Sequence, residues 1–251
     1  MGRRGDFRKR LRARDPLVGT FIRTPASAIV EIVADTGLDF AILDAEHAPF
    51  AAQMLDQCLM AGMLKDLPLL VRVPALDAAA IGAVLDMGAS GIVVPHIRRA
   101  DDARRAVEAA LYHGGSRGIS GSHRAAGYGR ADLAAWADEA DAATVIVGQL
   151  EDGCALDEIE AIAAVERVDG LFVGRADLML SLGARDPQGA EVNAAVEAFA
   201  AAARRAGRSL GTFVAPDQVA AGFRDGYNFL TAGTEQAILK RALETIARTA
   251  K

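Results

Sequence analysis

The feature that most restricts this chain is an alternation. Eight short apolar runs, Leu17–Ile22, Phe40–Asp44, Leu69–Val73, Gly91–Pro95, Thr144–Leu150, Gly170–Gly174, Ser209–Val214 and Phe229–Ala232, are separated by longer segments with helical spacing. The runs are rich in Val, Ile, Leu and Phe and lack strict polar–apolar alternation, as strands buried on both faces of a parallel sheet do. Among the helical segments are Pro25–Thr36, Ala51–Ala61, Asp77–Met87, Asp101–Leu111 and Val192–Ala206. Gly37, Gly62, Gly88, Gly207 and Gly226 stand where left-handed residues end helices. Strand–helix repeats build right-handed βαβ units. Eight of them imply a closed barrel rather than an open sheet, and no Gly-rich phosphate fingerprint follows Ile22. The predicted fold is α/β: a single-domain (β/α)8 TIM barrel over residues 16–251, preceded by a basic N-terminal tail at 1–15.

Composition narrows the classes. With 51% hydrophobic residues the chain can bury a core, and a net charge of -5 gives no basic face for nucleic acid. Arg3, Arg4, Arg8, Lys9, Arg10, Arg12 and Arg14 cluster at the N-terminus and read as a solvated or subunit-contacting tail. No apolar run follows them, so they do not read as a targeting signal. No stretch reads as a membrane span. Cys58 and Cys154 lie in helix-like segments without a CxxC pattern and read as reduced thiols of a cytoplasmic protein.

In barrels of this kind the chemistry gathers at the C-terminal strand ends. Asp44, Glu46 and His47 follow the second run, Arg72 ends the third, Gln149 and Glu151 close the fifth, and Arg175 and Asp177 follow the sixth. Glu151 and Asp177 come from neighbouring strands, roughly 4.8 Å apart in a sheet. Carboxylates so placed repel unless a cation lies between them, and a hard divalent ion fits; the alternative is that each caps a helix. His47, with Asp44 three residues earlier to orient its ring, suits proton transfer. Arg72 suits a developing enolate oxygen or a buried ion pair. The only lysines are Lys9, Lys65, Lys240 and Lys251, none at a strand end. Schiff-base chemistry therefore has no amine to use, and carbanion chemistry here requires a metal as the electron sink.

The runs Leu43-Asp44-Ala45-Glu46-His47-Ala48-Pro49, Val71-Arg72-Val73, Gln149-Leu150-Glu151 and Gly174-Arg175-Ala176-Asp177-Leu178 resemble the HpcH/HpaI aldolase family of class II pyruvate aldolases, in order and at compatible spacing from Leu17 to the last helix. The resemblance implies that Glu151 and Asp177 bind a divalent metal, Mg, Mn or Co, chelated in turn by pyruvate. It implies that the backbone around Ala176 holds the substrate carboxylate at a helix N-terminus. Arg72 would face the enolate oxygen, His47 with Asp44 would move the proton, and Gln149 would support the metal or substrate. Phe21 and Val214 match positions lining the pocket for the aldehyde partner, and Asp86 matches an acid that reaches a neighbouring subunit's site. The family implies a homo-oligomer, a hexamer built as a trimer of dimers with an exchanged C-terminal helix. Arg175 stands where the family usually has Pro, and His113-Gly114-Gly115 and Ser120–Arg130 also depart from its pattern.

The expected function is reversible cleavage of a 4-hydroxy-2-keto acid to pyruvate, or a related 2-keto acid, and an aldehyde. Two rivals share the fold: a citrate-synthase-like condensing enzyme, in which Arg175 reads an extra carboxylate, and a CoA-thioester lyase. A third is a non-catalytic binding barrel.

Overall fold

The computed structural model describes residues 2–130 and 132–249. Among them, eight parallel strands close into one barrel in sequence order. The strands are β1 (Leu17–Ile22), β2 (Phe40–Asp44), β3 (Leu69–Arg72), β4 (Gly91–Val94), β5 (Val145–Leu150), β6 (Gly170–Val173), β7 (Ser209–Val214) and β8 (Phe229–Thr234). Around them run α2 (Ser27–Ala34), α3 (Ala52–Leu64), α4 (Ala78–Asp86), α5 (Ala100–Ala110), α6 (Leu133–Ala143), α7 (Ile159–Ala164), α8 (Arg175–Ser181), α9 (Ala190–Arg205), α10 (Val219–Arg224) and α11 (Glu235–Thr249), with α1 (Arg3–Arg12) ahead of the first strand. The single-domain barrel predicted from the sequence is the fold observed. Among the described residues no helix is long and apolar enough to cross a membrane.

Strand parity divides the apolar residues into two layers. Side chains such as Leu43, Val71, Ile92 and Leu171 face outward against the helices. Phe40, Ile42, Leu70, Val93, Val147 and Phe172 face inward and fill the lumen. The lumen is therefore a packed core, and only the last inward positions of each strand reach the mouth. In this register Asp44 is the partner of Arg72, and Gln149 is the partner of Phe172.

The basic segment at 1–15 is not a solvated tail. α1 carries Phe7 and Leu11 four residues apart on one face, and both are buried in the inner layer. The Phe7 ring lies 5.6 Å from that of Phe40, which stacks on Phe229 at 4.5 Å. Asp66 accepts hydrogen bonds from the backbone amides of Arg3 and Arg4 at 2.6 and 3.1 Å, filling the exposed N-terminus of α1. Arg8 pairs with the buried Asp169 at 3.0 Å. Two apolar side chains at helical spacing, with these polar anchors, make the basic segment a plug for the barrel base.

Gly62 does not cap a helix either. It lies within α3, where a Cβ would stand 2.4 Å from Leu69 Cδ1, so its missing side chain lets α3 lie against β3. The left-handed residue after α3 is Asp66, at φ +52°. Of the two thiols, Cys58 is buried in α3 and Cys154 is exposed in a 3-10 turn over Gly153–Glu158. The irregular stretch at 112–130 leads into α6, a helix the periodicity reading left unassigned.

Candidate active site at the barrel mouth

The mouth opens into a cavity of about 400 Å³, lined by Phe21, Asp44, His47, Arg72, Gln149 and Asp177 among others. Its floor is aromatic. The Phe21 ring lies edge-on to Phe172 at 6.0 Å and 6.3 Å from Phe213.

Arg72 is fixed from several directions. Its Nε donates to Asp44 Oδ1 at 3.0 Å, Nη2 lies 2.8 Å from Asp44 Oδ2, and Glu46 Oε2 stands 3.2 Å from Nε. The guanidinium also lies 4.9 Å over the Phe21 ring. A planar cation so held cannot swing away, and its charge is presented without reorganisation.

Asp44 is 1% exposed and holds more than Arg72: it accepts the backbone amide of His47 at 3.1 Å and lies 3.1 Å from Arg23 Nε. This differs from the expected orientation of the His47 ring by Asp44. The chain turns tightly after β2, so the carboxylate meets the amide of His47 rather than its imidazole. The ring is half exposed, and its Nε2 is 3.7 Å from Glu46 Oε2.

Glu151 is nearly inaccessible. It accepts from Gln149 Nε2 in a short contact, and its Oε1 accepts the His96 backbone amide at 2.9 Å. Gly174 is required beside it, because a Cβ there would stand 2.7 Å from Glu151 Oε2. Glu46, His96 and Glu151 each offer a ligand atom within 4.8 Å of the others. Two observations suit this corner to a cation: Gln149 Oε1 is buried and accepts no hydrogen bond, and Glu151 has no cationic side chain nearby except His96 among the described residues. Burial raises the Glu46 carboxyl above the usual range, Arg72 and His47 oppose this, and Glu151 adds to it. Burial works to lower the His96 imidazole, but the Asp152 hydrogen bond and the charges of Glu151, Asp152 and Glu46 outweigh it and raise the ring.

Asp177 lines the cavity as the third residue of α8, after Arg175 and Ala176, in a first turn without a side-chain cap. It is not one of the three clustered ligand residues. Arg175 also lines the cavity, yet its guanidinium is occupied: Nε donates to the Pro187 carbonyl at 3.1 Å, and Nη2 reaches Gln188 Oε1 at 3.1 Å and Asn193 Oδ1 in a short contact. Val214 is not among the cavity residues. It lines a neighbouring groove, and Phe213, one position earlier, turns to the mouth because alternate strand residues face opposite ways. Asp86 ends α4 and is held by Arg117 at 2.6 Å, with His123 at 3.5 Å. The sequence reading passed over Arg23 and His96. The signal for His96 was its place directly after Pro95, at the end of the fourth predicted strand.

A closed barrel with an apolar floor, a braced arginine and a carboxylate–imidazole group at its C-terminal mouth has the form of a (β/α)8 enzyme. Residues 17–242 match the HpcH/HpaI aldolase/citrate lyase family. The chain belongs to that family, and through it to the carbon–carbon lyases. It is 38% identical over 246 residues to the hydroxypyruvate/pyruvate aldolase of Paraburkholderia phytofirmans (strain DSM 17436 / LMG 22146 / PsJN), covering 94% of each chain. Among solved structures, an HpcH/HpaI aldolase/citrate lyase family protein from Burkholderia cenocepacia J2315 superposes with a TM-score of 0.92 at 32% identity, covering 98% of this chain and 99% of the other. The citrate synthase SbnG superposes with a TM-score of 0.87 at 25% identity, covering 97% and 96%.

Proposed function

We propose that the protein is a divalent-metal-dependent aldolase that reversibly cleaves a 4-hydroxy-2-keto acid into pyruvate, or a related 2-keto acid, and an aldehyde. The observation that carries this reading is the pairing of a rigid Arg72 with a buried, cation-seeking Glu151 at one mouth. A bound Mg, Mn or Co ion would be held by Glu151 and Asp177, and would supply the positive charge that polarises a 2-keto acid. The protein's own groups do the rest. Arg72 faces the oxygen on which negative charge develops. Gln149 fixes Glu151 through its amide. His47, half exposed at the rim, exchanges the proton of the 4-hydroxyl with solvent. The amides around Ala176, at the start of α8, receive the substrate carboxylate. Phe21 and Phe213 bound the space for the aldehyde.

Arg175 bears on the rival condensing reaction. Its Nε and Nη2 are engaged by Pro187, Gln188 and Asn193, so a second carboxylate would meet only Nη1 unless it displaced them for a bidentate grip. This favours the aldolase reading over a citrate-synthase-like one.

We also infer a cytoplasmic homo-oligomer, consistent with a hexamer. In support, α11 buries none of its residues, while Leu239, Leu243 and Ile246 are more than half exposed. Light scattering on the purified protein tests this.

The test of the chemistry is exchange of pyruvate methyl protons in D2O, followed by NMR. Exchange is expected with Mg, Mn or Co and is lost after EDTA. Folded, metal-loaded protein that exchanges nothing would sink the aldolase reading. Activity indifferent to complete metal removal would sink the metal dependence.

A further inference from the structure

His96 stands at the mouth directly after Pro95, beyond the end of β4. It is a non-glycine residue with left-handed backbone, at φ +55°, and its side chain is 45% exposed. Strained backbone at a mouth is retained when the geometry serves a site. Here the strain is held from both sides, by the His96 amide donating to Glu151 Oε1 at 2.9 Å and the Ile97 amide donating to the Gln149 carbonyl at 3.1 Å.

The ring is steered as well. Nδ1 lies 2.9 Å from Asp152 Oδ2, and Asp152 is itself anchored by Arg98 Nε at 3.1 Å. A carboxylate that accepts the N–H of one ring nitrogen leaves the lone pair of the other free, which is how metal-binding histidines are oriented. The free nitrogen, Nε2, is 3.8 Å from Glu46 Oε1, while Nδ1 is 3.5 Å from Glu151 Oε1. Arg72 lies against Glu46, and Arg98 lies against Asp152. Glu151 has no such partner among the described residues.

The geometry points to His96 as a third protein ligand of the divalent ion, through Nε2, with Glu46 beside it as a further oxygen donor. The inference rests on the metal-dependent reading above and deepens it. An all-oxygen site suits Mg, whereas one imidazole nitrogen shifts preference towards Mn, Co and other borderline ions. The site is therefore expected to bind Mn and Co more tightly than Mg.

The test uses metal-free full-length protein titrated with Mn and with Mg, and pulsed EPR of the Mn-loaded form. A directly coordinated nitrogen is expected in the wild type and absent in His96→Asn. Asparagine tolerates the left-handed backbone, so this variant keeps the turn. Its Mn affinity is expected to fall about 10–100-fold, with little change for Mg. In Asp152→Asn the nitrogen signal is expected to persist with Mn binding about 10-fold weaker. A wild-type spectrum without coordinated nitrogen, or an unchanged Mn-to-Mg ratio in His96→Asn, overturns the role of His96 and leaves the aldolase reading standing. Wild type that binds neither ion overturns both.

Discussion

The two ends of this barrel use the same inward strand positions for opposite purposes. At the base, Phe40 and Phe229 stack on each other and α1 seals them with Phe7 and Leu11. At the mouth, further along the same β2, the inward residue is Asp44, and its neighbours are Arg72, Glu46 and Arg23. The base is dry and apolar, so removing a side chain there leaves a void. The mouth is a charged network, so removing a side chain there changes which charges remain uncompensated. Stability and chemistry are thus separated along one strand by a few residues.

This separation can be broken or sharpened by substitution. The largest effect is expected from Phe40→Ala, which should lose about 3–5 kcal/mol of unfolding free energy, the cost of a large cavity in a closed core. Urea unfolding measures it, and pyruvate exchange per folded molecule should be unaltered. Slowed exchange in the folded fraction would mean that base and mouth are coupled. Arg72→Ala should lower the exchange rate of the folded fraction about 10²–10³-fold, as loss of a preorganised donor does; Arg23 still compensates Asp44, but Glu46 loses its cation, so the unfolding midpoint should fall as well. Gly174→Ala should weaken Mn binding about 10-fold by crowding Glu151 Oε2, measurable by calorimetry; unchanged binding would remove Glu151 from the ion's ligands.

The smallest effect is expected outside both regions. Burial pushes the Cys58 thiol up to about 11 from its ordinary value of 9.0. Below the lower value the thiol is protonated in both folded and unfolded chains, and its contribution to stability is complete. As pH rises from there, the unfolded chain loses this proton first, so stability should decline towards pH 11. At pH 8, iodoacetamide should label the exposed Cys154 rapidly and Cys58 only after unfolding, with mass spectrometry counting the adducts.

How much of this was legible in the residues follows the same division. Strands buried on both faces leave an apolar signature that needs no partner to be read, and β1, β2 and β7 match their predicted bounds residue for residue. Where a residue's role depends on a neighbour distant in sequence, reading failed. Gly62 looked like a helix terminator because its reason for being glycine is Leu69. The basic N-terminal segment looked solvated because the partners of Phe7, Leu11 and Arg8 lie in other strands and loops. Val214 was chosen where Phe213 faces the mouth, a one-residue slip that period-two geometry turns into a change of face. The mouth itself was largely readable, since strand ends identify Asp44, Arg72, Gln149 and Glu151. His96 also follows a strand end and was passed over, because the left-handed turn after β4 that brings it to Glu151 is not announced by its immediate sequence.

The plug at the base has a consequence for how the molecule comes into being. α1 precedes the first strand, but its contacts are with Phe40, Asp66, Asp169 and the Ser209 hydroxyl, which donates to the Leu11 carbonyl. α1 therefore lacks its full set of contacts until β7 is in place. Contacts this distant in sequence are costly to form early, so closure of the base is expected late in assembly rather than in its nucleus. In a refolding reaction, Phe7 and Leu11 should acquire protection only after the barrel has closed above them.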